Sequence, residues 1–257
     1  MSSAAQQPVR VDAVDVVRGL ALLWMTLYHF GFDLVQFGYW QQDFYTAPLW
    51  TWQRTCILSC FLLCAGAGQA LAVRGGQCWR RFGWRWLQIA GCALLVTVGS
   101  WWMFPRSFIY LGVLHGMALM LPLLRLGRPS PRAAIGLAVA LLALFLIAPQ
   151  ARWTGAPAGL IDWLNSPTGN WLGLITHKPI TEDYVPLLPW LSVMLLGYAG
   201  ADRWLQRLSA APAHRSLAIG RVRGLLAWLG RHSLAYYMLH QPVLIGALML
   251  AGWLRAA

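Results

Sequence analysis

The sequence predicts an all-α fold, a polytopic membrane helix bundle of about seven transmembrane helices with a cytoplasmic N-terminus. The mean hydropathy of the chain is +0.53, and only 11% of its 257 residues are charged, whereas soluble domains carry about 25% charged residues. The apolar residues form several runs close to the roughly 20 residues that an α-helix needs to cross a bilayer. These observations exclude a soluble globular domain, a disordered chain and a secreted disulfide scaffold.

Windows of about 19 residues locate seven apolar spans. In chain order we predict them at residues 14–36, 50–73, 86–104, 108–125, 133–149, 187–203 and 225–252. The stretch 150–186 is rich in Pro, Gly, Asn and Trp, and we predict that it is the one long outer loop. No repeat and no shift of composition divides the chain, so residues 1–257 are predicted to form a single integral-membrane domain.

The basic residues outnumber the acidic ones by 20 to 8, which gives a formal net charge of +12. Most arginines fall in short clusters between spans, as the positive-inside rule predicts for cytoplasmic loops. The clusters are Arg74, Arg80, Arg81 and Arg85; Arg125, Arg128 and Arg132; and Arg203, Arg207, Arg215, Arg221 and Arg223. Together with the tail that carries Arg10, they predict a cytoplasmic N-terminus, an outer C-terminus and contact with anionic lipid headgroups rather than nucleic acid.

Three of the five cysteines, Cys56, Cys60 and Cys64, recur every four residues and therefore share one face of an apolar helix. A structural metal site would bring a second pair of ligands, and a disulfide would need a partner on another element. We interpret the three cysteines as packing residues and predict no metal.

The first span carries four ionisable residues, Asp15, Arg18, His29 and Asp33, which share one stripe at 100° per residue. The spacing lets Asp15 reach Arg18 and lets His29 reach Asp33. A helical rise of 1.5 Å per residue separates Arg18 from His29 by about 16 Å. Because charged groups within a span are costly and are retained mainly for function, this stripe is the strongest functional signal in the chain.

Two interpretations of the stripe are open. As an active site, Arg18 with Asp15 holds a phosphate-bearing donor near the cytoplasm. His29, oriented by Asp33, then takes a proton from an amine or hydroxyl that attacks a thioester. As structure, the same residues form a helix-end ion pair and a satisfied polar pair that ties the first span to the bundle.

Two further histidines lie within predicted spans. Pro242 removes a backbone donor beside His240 and Gln241, and proline breaks in membrane helices often border cavities, so His240 and Gln241 are candidate pocket residues. His115 either lines the same pocket or makes an interhelical hydrogen bond. Its neighbours Gly112 and Gly116 form a small-xxx-small face that predicts close approach of another helix.

Two other groups of polar residues lie near the ends of spans. Arg231 and Ser233 open the last span, where a cation and free helix amides suit phosphate, although an interfacial arginine and a cap explain them equally. In the outer loop, Asp183 ends a short charged stretch, and Tyr184 and Trp190 follow it. Aromatic rings with a few carboxylates are common in sugar sites, which makes the three a candidate acceptor site, and solvated loop residues are the alternative.

Five motifs in order resemble the bacterial members of the heparan-alpha-glucosaminide N-acetyltransferase catalytic-domain family, over nearly the whole chain. They are Val14–Phe30, Phe61–Gly66, Leu111–Gly116, Asp183–Trp190 and Leu229–Pro242. The resemblance implies an integral-membrane acyltransferase that takes an acyl group from cytoplasmic acyl-CoA, with acetyl-CoA expected, to a periplasmic or membrane-embedded glycan. The pairing of Arg18 with His29 after ten intervening residues also resembles the arginine and histidine of the acyltransferase 3 family. That second resemblance implies that His29 is the base and that Arg18 serves the donor.

The resemblance departs after the first span, where the lysosomal family member has its active-site histidine in a lumenal loop. Residues 35–49 contain no histidine here. A proton-coupled transporter or flippase that uses the stripe is the competing hypothesis, although seven spans without a repeat lack the inverted symmetry common in transporters. A membrane scaffold leaves the stripe unexplained. The expected setting is the bacterial inner membrane, with homodimerisation left open.

Overall fold

The computed structural model describes residues 12–150, 156–209 and 217–256, and it confirms the all-α fold. Arg10 and Arg215, which entered the topology prediction, lie outside these residues. The described residues form nine α-helices and one 3-10 turn, Asn170–Leu172. The helices are α1 (Asp12–Gln36), α2 (Pro48–Arg74), α3 (Trp79–Met103), α4 (Val113–Gly127), α5 (Pro131–Gln150), α6 (Ala158–Asn165), α7 (Leu187–Ser209), α8 (Leu217–Arg231) and α9 (Ser233–Ala256).

Among the described residues, four helices are long and apolar enough to cross a membrane: α1, α2, α3 and α9. Three shorter apolar helices lie at Val113–Gly127, Pro131–Ile147 and Leu187–Ala201. These seven apolar helices correspond to the seven predicted spans. The protein is therefore a multi-pass membrane protein, while the count of seven crossings and the orientation stay predictions.

Several predicted boundaries were wrong. The predicted helix 225–252 is two helices that meet at His232, because α8 ends at Arg231 and α9 begins at Ser233. Helix α3 begins at Trp79 rather than at residue 86, since the arginines of its first two turns lower the window average without preventing helix formation. The predicted outer loop, residues 150–186, contains helix α6 and the 3-10 turn.

Helix α4 begins at Val113 rather than at residue 108 because the residues before it are extended. Leu111 and Tyr184 form a parallel β-bridge, and the N–H of Val185 donates to the carbonyl of Leu111 at 2.7 Å. A backbone that is hydrogen-bonded to a neighbouring extended segment has no carbonyls free for an α-helix.

The chain divides into two compact units. The terminal unit comprises Val11–Cys64 and Leu205–Ala257, and the central unit comprises Ala65–Trp204. A core of large apolar side chains fills the terminal unit; its buried members are Leu22, Met25, Tyr28, Phe44 and Ile57. The expectation of one domain over residues 1–257 stays a prediction.

Glycines bring α1 and α8 into backbone contact within the terminal unit. A Cβ atom on Gly19 would lie 2.2 Å from the carbonyl oxygen of Leu226, and one on Gly230 would lie 1.9 Å from that of Asp15. Both distances are far below contact distance, so any side chain at either position would force the two helices apart. This contact holds the Arg18 turn of α1 against the end of α8.

The two glycines of the small-xxx-small face have a different neighbour from the one predicted. In the central unit, a Cβ atom on Gly112 would lie 2.6 Å from Asp183 Oδ2, and one on Gly116 would lie 2.7 Å from the carbonyl oxygen of Val185. The approaching element is therefore the extended segment before α7 and not a helix. Sequence spacing indicates room for a close neighbour but does not specify its secondary structure.

Candidate active site

The N-terminal end of the α1 stripe is an ion-pair site. Arg18 Nη1 lies 3.0 Å from Asp15 Oδ1, which confirms the predicted pair. The same guanidinium also lies near two backbone carbonyls, that of Gly230 at 3.4 Å and that of Cys64 at 3.5 Å. Arg18 is therefore held by three protein acceptors, and part of its role is to join α1, α2 and α8.

Arg231 is the less constrained arginine of this region. Its Nη1 atom lies 3.9 Å from Asp12 Oδ1, and its side chain remains 33% exposed. Ser233 follows one residue later as the first residue of α9. The structure therefore brings the predicted donor-side residues Asp15, Arg18, Arg231 and Ser233 to one end of the terminal unit.

Four polar side chains form what we call the histidine cluster: His29 and Asp33 from α1, and His240 and Gln241 from α9. Gln241 Nε2 donates to Asp33 Oδ1 at 2.8 Å. The rings of His29 and His240 have centroids 5.1 Å apart. The stripe of α1 and the Pro242 region of α9, which we expected to share a cavity, therefore lie together.

The predicted hydrogen bond between His29 and Asp33 was wrong. Asp33 is 3% exposed, and its Oδ1 atom accepts from Gln241. The helical spacing allows His29 to reach Asp33, but α9 packs on the same stripe and supplies an amide donor to the buried carboxylate. The ring of His29 instead lies beside that of His240.

The tautomer of His240 follows from its surroundings. Its Nδ1 atom lies 2.6 Å from the carbonyl oxygen of Tyr237, and because a carbonyl only accepts, Nδ1 must carry the proton. In the neutral ring the Nε2 atom is then a bare lone pair. That atom is buried and has no hydrogen-bond partner among the described residues.

The cluster holds two more buried polar atoms without a partner in the described part of the chain, Asp33 Oδ2 and Gln241 Oε1. Since the Gln241 amide nitrogen already donates to Asp33, its oxygen is an acceptor, and an ionised carboxylate oxygen is another. Each buried polar atom left unsatisfied costs about 1–3 kcal/mol. Together with His240 Nε2, the site thus offers three acceptors for hydrogen-bond donors.

Sequence reasoning missed two residues beside the cluster. Thr26 Oγ1 and the Tyr236 hydroxyl are hydrogen-bonded at 2.7 Å, which adds a second polar link between α1 and α9. The Tyr236 ring lies parallel to that of His240, with centroids 6.3 Å apart. Thr26 precedes His29 by three residues, so helical spacing could have assigned it to the stripe.

His115 belongs to the central unit and is fully hydrogen-bonded. The N–H of Gly112 donates to its Nδ1 at 3.2 Å, and its Nε2 lies 2.9 Å from Thr97 Oγ1. Nδ1 is therefore an acceptor, and Nε2 carries the proton and donates to Thr97 Oγ1. The Thr97 hydroxyl in turn donates to the carbonyl of Ile109 at 2.9 Å. Of the two interpretations of His115, this geometry favours the hydrogen bond between helices, here α3 and α4.

Two of the predicted acceptor residues, Asp183 and Tyr184, organise the central unit. Asp183 Oδ2 accepts the N–H of Val113 at 2.9 Å and so caps α4. The Tyr184 hydroxyl donates to the carbonyl of Asn170 at 2.6 Å, and burial, followed by the nearby Tyr110, raises the pKa of Tyr184. Trp190, in the first turns of α7, is partly buried.

The comparisons with known proteins agree with these motifs. A family model described as heparan-alpha-glucosaminide N-acetyltransferase, catalytic, matches residues 10–242. The chain belongs to this family. No curated protein and no solved structure matches the chain.

Membership of the family implies membrane acetyltransferase activity. The matched residues include the whole histidine cluster and the Arg18 region, so both parts of the candidate site lie within the catalytic domain that defines the family. Within the described residues, no group of three or more His, Cys, Asp or Glu side chains could hold a metal ion.

Proposed function

We propose that the protein transfers an acetyl group from cytoplasmic acetyl-CoA to the amine of a sugar in a periplasmic or membrane-embedded glycan, in a bacterial inner membrane. The observation that carries this proposal is the histidine cluster, where two imidazoles lie beside a buried carboxylate. Ionisable groups within a membrane span cost free energy and are retained mainly for function. A catalytic base beside a carboxylate that binds the acceptor is such a function.

The three free acceptors of the cluster favour an amine over a hydroxyl. A sugar ammonium carries three N–H donors and one positive charge, whereas a hydroxyl offers one donor and no charge. Asp33 Oδ2, Gln241 Oε1 and His240 Nε2 would accept those donors, and the carboxylate would balance the charge. In this proposal Asp33 binds the acceptor instead of orienting His29.

His29 is the general base of the proposed reaction. It takes a proton from the acceptor nitrogen as that nitrogen attacks the thioester carbonyl. The new C–N bond forms, the C–S bond breaks, and the leaving thiolate of CoA is protonated by the imidazolium. A positioned base of this kind contributes about 10²- to 10⁴-fold in rate.

The donor is proposed to enter at the Arg18 end of the terminal unit. Arg231 and the first amides of α9 at Ser233 would hold its phosphates, because Arg231 has only a long contact with Asp12. Arg18, fixed by Asp15, would supply a positive field and shape the entrance. The rise of α1 separates this end from His29 by about 16 Å, which leaves the pantetheine arm to carry the thioester along the stripe.

The outer loop has a smaller part in the proposal. Asp183 and Tyr184 hold the loop through their bonds to Val113 and Asn170, and Trp190 is the residue of the three that we propose to contact the sugar. An aromatic face against a sugar ring is a common form of carbohydrate recognition.

The test uses the full-length protein in lipid nanodiscs, with acetyl-CoA labelled in the acetyl group and methyl glucosaminide as acceptor. We expect His29→Ala to lower transfer by about 10²- to 10⁴-fold while calorimetric binding of acetyl-CoA stays unchanged. His177→Ala removes an exposed loop histidine and serves as the matched control. Near-normal transfer by His29→Ala would refute the base assignment. A wild-type protein that transfers no acetyl group but moves protons in liposomes would replace the proposal with transport.

A further inference from the structure

An acceptor that arrives as an ammonium ion has two protons to lose before its amide is complete, and the base just proposed accounts for one. An α-amino group has a pKa of about 7.7–8.0, and an amine next to the electron-withdrawing carbons of a sugar is comparable. Near neutral pH much of the acceptor therefore arrives as an ammonium ion, which has no lone pair with which to attack. One proton must leave before attack and a second during it.

The histidine cluster contains a second imidazole suited to the first of these steps. Hydrogen bonding to the Tyr237 carbonyl leaves His240 with its lone pair on Nε2, and that atom is buried without a partner among the described residues. Asp33 and Gln241, the other two free acceptors, are linked to each other by a hydrogen bond of 2.8 Å. An ammonium ion held by that pair would bring an N–H toward the neighbouring His240.

We propose that His240 is a second base, which takes the first proton from the acceptor ammonium before attack. This inference rests on the proposed function. The steps balance: the ammonium gives one proton to His240 Nε2, and the free amine attacks the thioester carbon. The nitrogen then gives its second proton to His29, which passes it to the departing thiolate. The products are the amide, CoA thiol and one proton that His240 releases to solvent.

The groups around His240 favour the assignment of the first proton to His240 and of the second proton to His29. The titratable groups that face it are His29 from α1, at 5.1 Å between ring centroids, and Tyr236 and Tyr237 from its own helix. Asp33 is linked to the adjacent Gln241. Because two imidazolium ions at this separation repel each other, protonation of His240 favours a neutral His29, which keeps the second base ready.

The test compares two acceptors in the full-length protein, methyl glucosaminide and hydroxylamine, of which the second is already largely unprotonated at neutral pH. We expect His240→Asn to lower kcat/KM for methyl glucosaminide by tenfold or more near pH 6.5, and to recover toward the wild-type value near pH 9. With hydroxylamine the same variant should stay within a few-fold of wild type. His29→Ala should be impaired with both acceptors at every pH, and His177→Asn with neither.

A second test uses the wild-type protein alone, so its result does not depend on whether a variant folds. It measures the pH dependence of transfer to each of the two acceptors. Two bases that must both be free in the complex with bound ammonium give an acid limb of slope two in the plot of log kcat against pH at saturating methyl glucosaminide, and slope one at saturating hydroxylamine. Equal slopes for the two acceptors, or a His240→Asn loss that is the same at all pH values with both, would overturn the proposal. No transfer to either acceptor by the wild type would instead refute the proposed function itself.

Discussion

His115 of the central unit and His240 of the terminal unit are both histidines of apolar helices, yet they use their ring nitrogens in opposite ways. The Nδ1 atom of His115 accepts a backbone N–H, and its Nε2 atom meets a threonine hydroxyl. The Nδ1 atom of His240 donates to a backbone carbonyl, which leaves the Nε2 lone pair buried without a partner among the described residues. One ring is a completed structural link, and the other retains an atom that can take a proton.

The difference teaches that the role of a histidine in a membrane helix follows from the hydrogen-bond partners of its ring nitrogens. The presence of a histidine in the helix does not by itself indicate a function. Buried polar groups in native proteins nearly always have partners, so His115 needs no function beyond the link that it makes. The atoms around His240 that have no partner among the described residues are open to the proposed acceptor. Variants that remove the hydrogen bonds of His115 should therefore have different consequences from variants that alter the unpartnered acceptors around His240.

Among the variants that test this contrast, the largest effect is expected at Asp33, the charged residue among the unpartnered acceptors around His240. Asp33→Asn keeps the oxygen that accepts from Gln241 but replaces the free acceptor by an amide donor, which opposes an ammonium ion. Hydrogen bonds to charged groups are worth about 1.5–3 kcal/mol, so kcat/KM for methyl glucosaminide should fall roughly 10- to 100-fold. The KM for acetyl-CoA should not change. Asp43→Asn, in an exposed turn, is the control, and an equal loss for both substrates would contradict the acceptor role of Asp33.

The substitution His115→Ala removes the two hydrogen bonds that the His115 ring makes. This change leaves the Thr97 hydroxyl and the Gly112 amide without their partner, at a cost of about 1–3 kcal/mol in the free energy of unfolding. Transfer per folded molecule should match the wild type at every pH. Thermal unfolding measures the first quantity and a transfer assay normalised to folded protein the second. A lowered rate with unchanged stability would return His115 to the list of pocket residues.

These two predictions also mark what could be read from the sequence. Apolar runs located seven helices because burial in lipid leaves a signal averaged over about 20 residues. The first part of α8, residues 217–224, was left outside the predicted span because Arg221 and Arg223 make it too polar for that average. Spacing along α1 grouped His29 with Asp33, but no property of one helix reveals that Gln241 of another helix takes the carboxylate.

A smaller effect is expected at Asp183, whose carboxylate caps the helix that carries His115. Asp183→Asn weakens the bond to the Val113 N–H and removes a negative charge from the N-terminus of α4. Charge at a helix N-terminus contributes typically 0.3–1 kcal/mol, so unfolding should shift slightly while the KM for methyl glucosaminide stays the same. A rise of that KM with an unchanged unfolding transition would show that Asp183 contacts the sugar, as the sequence suggested.

The smallest effect is expected at Arg231, which lies in the same unit as the histidine cluster but on the proposed donor side. Its side chain is 33% exposed, and an exposed charge pair contributes at most about 1 kcal/mol. Arg231→Ala should therefore raise the KM for acetyl-CoA only a few-fold, and salt should weaken the difference because the contact is screened. The kcat and the KM for methyl glucosaminide should stay as in the wild type. Arg255→Ala removes an arginine from the other end of α9, where it lies over Tyr39, and should change neither KM. An equal response to both substitutions would mean that overall charge, rather than a phosphate contact at Arg231, governs donor binding.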